Sequence, residues 1–223
     1  MILLTAALAA AVTFPATSNT RITIEIGAGD VRVVAASRTD IEVRAERATA
    51  TADGDRIVIR SDDAAGPLNR EARASVDLSV PAAVTIEAIR IVDGSLTLTG
   101  LTGSVGADVR QGSIRATNVS GVMRLETGFG DVVVEGAHLT AGGLLRLRAF
   151  NGDVRLALAS KPEHARVLAL TFNGRIDSDL PLARRESFGP KFAEGTFGRG
   201  EPVISIDSVT GNVSISVAPS RRR

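Results

Sequence analysis

The chain of 223 residues carries 26 basic and 25 acidic side chains, a formal net charge of +1, and has no cysteine, tryptophan or tyrosine. Near neutrality argues against a global electrostatic partner such as DNA or an acidic membrane, and the missing cysteine excludes a disulfide-dependent fold. Hydrophobic residues make up 44% of the chain but aromatics only 3%, a balance that suits one core filled with aliphatic side chains.

Met1 to Ala16 is an apolar Ala/Leu/Val run, too short to span a bilayer, where about 20 apolar residues are needed. Its length suits the hydrophobic region of a secretory signal. It lacks a basic leader, however, and Phe14 stands where a cut after Ala16 would favour a small residue. Residues 1–20 are therefore expected to be a signal segment, against the reading of a buried first strand or capping helix. Strands are expected at Arg21–Ile26, Val31–Val34, Ile41–Ala45, Arg56–Arg60 and Ser75–Val80, with a loop at Asp62–Asn69. They form an irregular N-terminal cap in which antiparallel pairing is admissible.

A short phrase then sets the architecture. Gly29-Asp30-Val31-Arg32-Val33 returns as Gly94-Ser95-Leu96-Thr97-Leu98, Gly112-Ser113-Ile114-Arg115-Ala116, Gly130-Asp131-Val132-Val133-Val134, Gly152-Asp153-Val154-Arg155-Leu156 and Gly211-Asn212-Val213-Ser214-Ile215. The spacing is 18 residues from Gly94 through Gly112 to Gly130, and 22 from Gly130 through Gly152 to Gly174. Such a period marks stacked units, none of which can bury its apolar face without neighbours. Apolar or small residues stand two and four positions after each glycine, and three, five and seven before it, as in Met123, Leu125 and Thr127 or Leu145, Leu147 and Ala149. Polar residues lie between them. This alternation predicts two half-buried strands per unit, joined at the glycine corner.

The fold class expected is all-β: a right-handed β-helix-like solenoid with 18–22-residue coils and an irregular N-terminal β cap. The single domain covers 21–217, with its regular stack from about Val84 to Ser178. Asp179 to Gly200 is rich in glycine and proline and reads as an irregular insertion without strand periodicity. Its rings, Phe188, Phe192 and Phe197, are expected either to fold over Leu168 and Leu170 or to contact a partner. The last coil, Pro202 to Val217, forms the open end of the stack. The basic tail 218–223, with Pro219 and Arg221 to Arg223, guards that edge.

These phrases, in this order, resemble the bacterial putative-adhesin family of β-strand-repeat proteins. The resemblance runs from the opening Gly29 phrase through Val76-Asp77-Leu78-Ser79-Val80-Pro81 and the Asn-Gly turns at Asn151-Gly152 and Asn173-Gly174. It ends on Phe197-Gly198-Arg199-Gly200 and the Gly211 phrase. It implies an exported, right-handed β-helix-like domain without established catalysis, in the periplasm or at the cell surface. The sequence departs from the pattern in its imperfect signal and in Ser95 and Ser113, which stand where Asp30, Asp131 and Asp153 fill the equivalent turns.

Arg115 and Arg155 point outward after the corner, and Arg124, Arg146 and Arg148 outward before it, so rows of bidentate donors could grip an envelope polyanion such as an acidic glycan. With Phe188, Phe192 and Phe197 they are the candidate interaction residues. Asp108 and Glu126 share an outward column at roughly the carboxylate spacing of a retaining glycosidase, about 5 Å. Neighbouring arginines and the lack of Trp or Tyr platforms favour a solvated charge ladder instead. His138 and His164 have no cysteine partners for zinc. Asp53-Gly54-Asp55 and Asp177-Ser178-Asp179 read as turns rather than calcium sites. Neither a catalytic residue nor a cofactor or metal is assigned. The expected role is a non-catalytic exported scaffold that binds a protein or an envelope polyanion, with no nucleic-acid partner and no membrane anchor in the mature chain. The alternatives are a self-assembling envelope element and, further off, a carbohydrate-active enzyme.

Overall fold

Each apolar column that follows a repeat glycine points into one shared core: Val31, Leu96, Ile114, Val132, Val154, Ile176 and Val213 are all buried. The computed structural model describes residues 11–61, 73–185 and 189–218. Among these residues every regular element is a strand. In chain order they are β1 (Ala11–Pro15), β2 (Arg21–Ala35), β3 (Asp40–Glu46), β4 (Ala48–Asp53), β5 (Arg56–Ser61), β6 (Ala74–Val80), β7 (Thr85–Asp93), β8 (Leu96–Thr99), β9 (Ser104–Gln111) and β10 (Ile114–Thr117). There follow β11 (Val122–Phe129), β12 (Val132–Ala137), β13 (Leu144–Asn151), β14 (Val154–Leu158), β15 (Ala165–Asn173), β16 (Ile176–Ser178), β17 (Ala183–Arg185), β18 (Lys191–Phe197), β19 (Val203–Thr210) and β20 (Val213–Val217).

Each repeat gives one strand to a leading sheet, before the glycine, and one to a trailing sheet, after it. The leading sheet runs β4-β5-β2-β7-β9-β11-β13-β19-β15-β18-β17. The trailing sheet runs β1-β3-β6-β2-β8-β10-β12-β14-β20-β16. Neighbours are parallel throughout except at the ends, where β4, β17, β18, β1 and β3 pair antiparallel. The strand β2 serves both sheets, its first half beside β7 and its second beside β8. The two strands expected at Arg21–Ile26 and Val31–Val34 are thus one.

Layer order departs from chain order at both ends. The layer of β2 is inserted between β5/β6 and β7/β8, and that of β19/β20 between β13/β14 and β15/β16. The last repeat is therefore not the open end: β20 is hydrogen-bonded on both sides, so the edge-guarding role expected of the tail loses its premise. The insertion after Asp179 also differs from expectation, because Lys191–Phe197 forms a strand antiparallel to β15. At the other end, Ala11–Pro15 lies antiparallel to β3, with Phe14 packed partly into the core. The tail from residue 219, the loop expected at 62–69, Phe188 and residues 1–10 lie outside the described residues.

The repeat phrase has a stereochemical reason. At Gly112 φ is +133°, and a Cβ there would collide with the carbonyl oxygen of Gly94 in the layer beneath. The residue after the glycine ties the layers together. Asp30 accepts the Ser95 N–H at 2.8 Å, Ser113 the Asp131 N–H at 3.1 Å, Asp131 the Asp153 N–H at 2.9 Å, Asp153 the Asn212 N–H at 2.8 Å and Asn212 the Arg175 N–H at 3.0 Å. Serine and asparagine serve in place of aspartate because all three offer an acceptor oxygen at the same reach. On the inward side, the buried hydroxyls of Thr127, Ser208 and Thr171 donate to the carbonyls of Gly112, Gly152 and Gly211 at 2.7, 3.0 and 2.8 Å. A further buried line, Leu101, Val119, Ala137, Leu158 and Leu180, closes the far side of the core.

Candidate interaction surface

With alternate residues committed to the core, function must reside in the outward rows and the loops. Register pairs these rows strand by strand. On the leading sheet one row reads Arg60, Glu25, Arg90, Asp108, Glu126, Arg148, Asp207, Leu170, Phe192. Its charges largely neutralise one another. Glu25 bonds Arg60 at 2.8 Å and Arg90 at 3.1 Å, and hydrogen bonding to Arg60 holds its carboxyl below the usual range. Arg148 lies 3.7 Å from Glu126 and 3.6 Å from Asp207. The next row reads Gly106, Arg124, Arg146, Ser205, Leu168, Glu194. Here two arginines stand directly opposite each other.

The candidate arginines therefore divide between two faces. Arg124, Arg146 and Arg148 share the leading sheet, whereas Arg115 and Arg155 lie on the trailing sheet with Val133 between them. Arg115 is 3.6 Å from Glu135, and Arg155 meets Asp153 at 2.8 Å and Asp131 at 3.3 Å. Arg155 thus braces the corner as well as facing solvent, while Arg115 pairs along the face. The tightest charge cluster is elsewhere: Arg38 contacts Asp40 at 2.6 Å and Glu42 at 2.7 Å, which raises the guanidinium pKa and lowers both carboxyls through those hydrogen bonds.

Phe192 and Phe197 part company as well. Phe192 stands beside Leu170 on the outer face, extending that surface rather than covering it, while Phe197, opposite Ala165, packs partly against the core. The sequence reading missed a larger apolar feature. Phe150 and Phe172 flank Val209 on three adjacent strands, with Leu168, Leu170 and Phe192 beside them on the same face. Phe150 and Phe172 are 59% and 49% exposed, and Phe129, nearby at the corner, is 55% exposed. Large rings so placed are an exception among residues that usually go inside. The available signal was an aromatic two positions before Gly152 and Gly174, in the outward column.

Between Gly106 and the arginine pair the leading sheet dips. Strand β7 bulges at Glu87 and Ala88 opposite Gly106, which has no side chain to fill the space. The resulting open depression, about 350 Å³, is lined by Glu87, Arg90, Asp108, Arg124, Glu126 and Arg146 among others. Asp108 and Glu126 do fall on neighbouring strands, as expected, but both are exposed on the sheet surface. His138 and His164 border one shallow depression, where the His164 Nδ1 accepts the Arg199 N–H at 3.2 Å. Asp53-Gly54-Asp55 makes the β4–β5 hairpin turn, and Asp179 accepts the Val217 N–H at 3.1 Å. Among the described residues, no three acidic or imidazole groups gather as a metal-binding set.

No protein-family model matches the chain, and no curated protein matches it. Solved structures do. A putative cell adhesion protein from Clostridium sporogenes ATCC 15579 superposes with a TM-score of 0.52 at 12% identity, over 94% of this chain and 99% of its own. A putative adhesin from Bacteroides fragilis NCTC 9343 matches at 0.34 and 12% identity, over 94% and 96%. A putative lipid binding protein from Parabacteroides distasonis ATCC 8503 matches at 0.32 and 10% identity, over the same shares. The first of these likenesses establishes a shared fold along nearly the whole of both chains.

Proposed function

We propose that this chain is an exported, adhesin-like interaction scaffold without catalytic activity, a right-handed β-helix-like solenoid of the putative-adhesin family that meets its partner with the outer face of the leading sheet. The observation that carries this reading is the terrace of Phe150, Val209, Phe172, Leu170, Leu168 and Phe192 beside Arg124 and Arg146 on that one face. Aromatic residues, phenylalanine included, and arginine are enriched in protein interfaces relative to the rest of the surface. The fold shared with a protein described as a putative cell adhesion protein is consistent with the same reading. The open geometry around Asp108 and Glu126 supports binding over hydrolysis, since neither carboxylate is withdrawn from solvent. End-to-end self-assembly is the weaker reading. Antiparallel strands end three of the four sheet edges, and the fourth, β16, like β17, is only three residues long.

Retention of the purified chain on isolated bacterial envelopes and on intact cells tests the proposal. Phe150→Ser with Phe172→Ser should lower retention about tenfold. Arg115→Ser with Arg155→Ser, on the other face, should leave it unchanged. Equal retention of both variants would remove the leading sheet as the binding face.

A further inference from the structure

From the outer face of the leading sheet we infer a seat for a carboxylated saccharide, with the Arg124 and Arg146 guanidinium groups clasping its carboxylate. The inference rests on the scaffold reading above and gives it a ligand class. Nearby cations on this face sit with carboxylates: Arg56 with Glu87 at 3.1 Å, Arg60 and Arg90 with Glu25, Arg148 with Glu126 and Asp207. Arg110 and Arg166, which lack such partners among the described residues, stand singly, and Arg21 opposes Arg56, whose charge is met by Glu87. Arg124 and Arg146 instead oppose each other directly on adjacent strands, and among the described residues neither has a carboxylate in ion-pair range. Like charges in that position repel, at a strand spacing of about 4.8 Å. A bound oxyanion would turn this repulsion into two charge-assisted contacts.

The surroundings narrow the anion. The dip beside Gly106 gives the ligand about 350 Å³ of room, at the small end of ligand sites and enough for one sugar unit. A Cβ at Gly106 would also come within 2.9 Å of the Glu87 carbonyl oxygen, so the bare position belongs to the way β7 and β9 pack. Asp108 and Glu126 border the same dip. Their carboxylates repel a dense polyanion but accept hydrogen bonds from hydroxyl groups. A single negative charge amid several hydroxyls, which is a uronic acid unit, satisfies both halves of the site, whereas a phosphate dianion satisfies only the arginines. Without an aromatic platform in the dip, each unit should bind weakly, with Kd on the order of millimolar, and tight attachment would come from several units or molecules acting together.

Titration of the full chain with trigalacturonate, its methyl ester and inorganic phosphate, followed by NMR, tests the seat. Trigalacturonate should shift the arginine side-chain signals and bind about tenfold more weakly to Arg124→Gln and to Arg146→Gln, but equally to Arg115→Gln. The uncharged ester should not bind, and phosphate should compete poorly. Both leading-sheet variants should melt at or slightly above the parent temperature in low salt, because repulsion is relieved. Equal binding of the ester, phosphate competing as well as the sugar, unaltered affinity in both variants, or a clear drop in melting temperature would each overturn the assignment. Should trigalacturonate fail to bind while Phe150→Ser with Phe172→Ser still loses envelope retention, the saccharide seat falls and the scaffold reading stands.

Discussion

At the scale of single residues, the two-residue alternation makes neighbours in sequence opposites in environment. Val132 is buried between Ile114 and Val154, whereas Val133, one position on, lies outward between Arg115 and Arg155. Val132→Asp places a carboxylate in the aliphatic ladder without a partner and should cost at least about 3 kcal/mol. Val133→Asp sets the same group between two guanidiniums and should leave stability within about 0.5 kcal/mol of the parent. Urea unfolding of the two variants measures the difference, and equal losses would sink the register. These inward columns were legible in the sequence because apolar and polar residues alternate there in nearly every repeat. The terrace of Phe150 and Phe172 was missed although the same alternation puts both rings in an outward column, because large rings ordinarily go inside. Arg124 and Arg146 were legible as outward residues. Their mutual opposition was legible too, because both stand six positions before a repeat glycine, whereas the dip beside Gly106 depends on a bulge at Glu87 and Ala88 that only the pairing reveals.

Among the elements, those lost to the sequence reading share a cause. Strand β18 hides its period because its inward residues include Ala193 and Gly195. A Cβ at Gly195 would come within 2.7 Å of the Leu182 side chain, so the end of the core is filled from the preceding loop rather than from the strand. Strand β4 alternates only alanine with threonine and lies mostly exposed. The layer of β19 and β20 was recognised as a repeat but expected at the end of the stack. One column did carry the missing information: the residue after Gly174 is Arg175, which has no acceptor oxygen to offer a following layer, whereas Asp153 and Asn212 both do. Deleting Glu201 to Arg223 therefore removes an internal layer, with buried Ile204, Ile206, Val213 and Ile215. Circular dichroism in urea should show that cooperative unfolding is lost. A cooperative transition at a modestly lower midpoint would indicate that only a terminal layer had gone.

For the whole molecule, β2 and the β19/β20 pair are woven into the stack, so the long outer face of the leading sheet exists only when the last repeat has taken its place. Ser205 of β19 lies between Arg146 and Leu168, and Val209 between Phe150 and Phe172. Without that insertion, the arginine pair and the apolar terrace would meet in a different arrangement. Layer order is thus the premise of the functional reading, and the cysteine-free chain permits a direct measurement of it. Paired substitutions on the outer face, oxidised under mild conditions, report adjacency because a disulfide requires Cα atoms about 4.4–6.8 Å apart. Arg146→Cys with Ser205→Cys, and Ser205→Cys with Leu168→Cys, should each close an intrachain disulfide. Arg146→Cys with Leu168→Cys, two strands or roughly 9.6 Å apart, should not. Closure of that third pair with failure of the first two would return the layers to chain order and contradict the account.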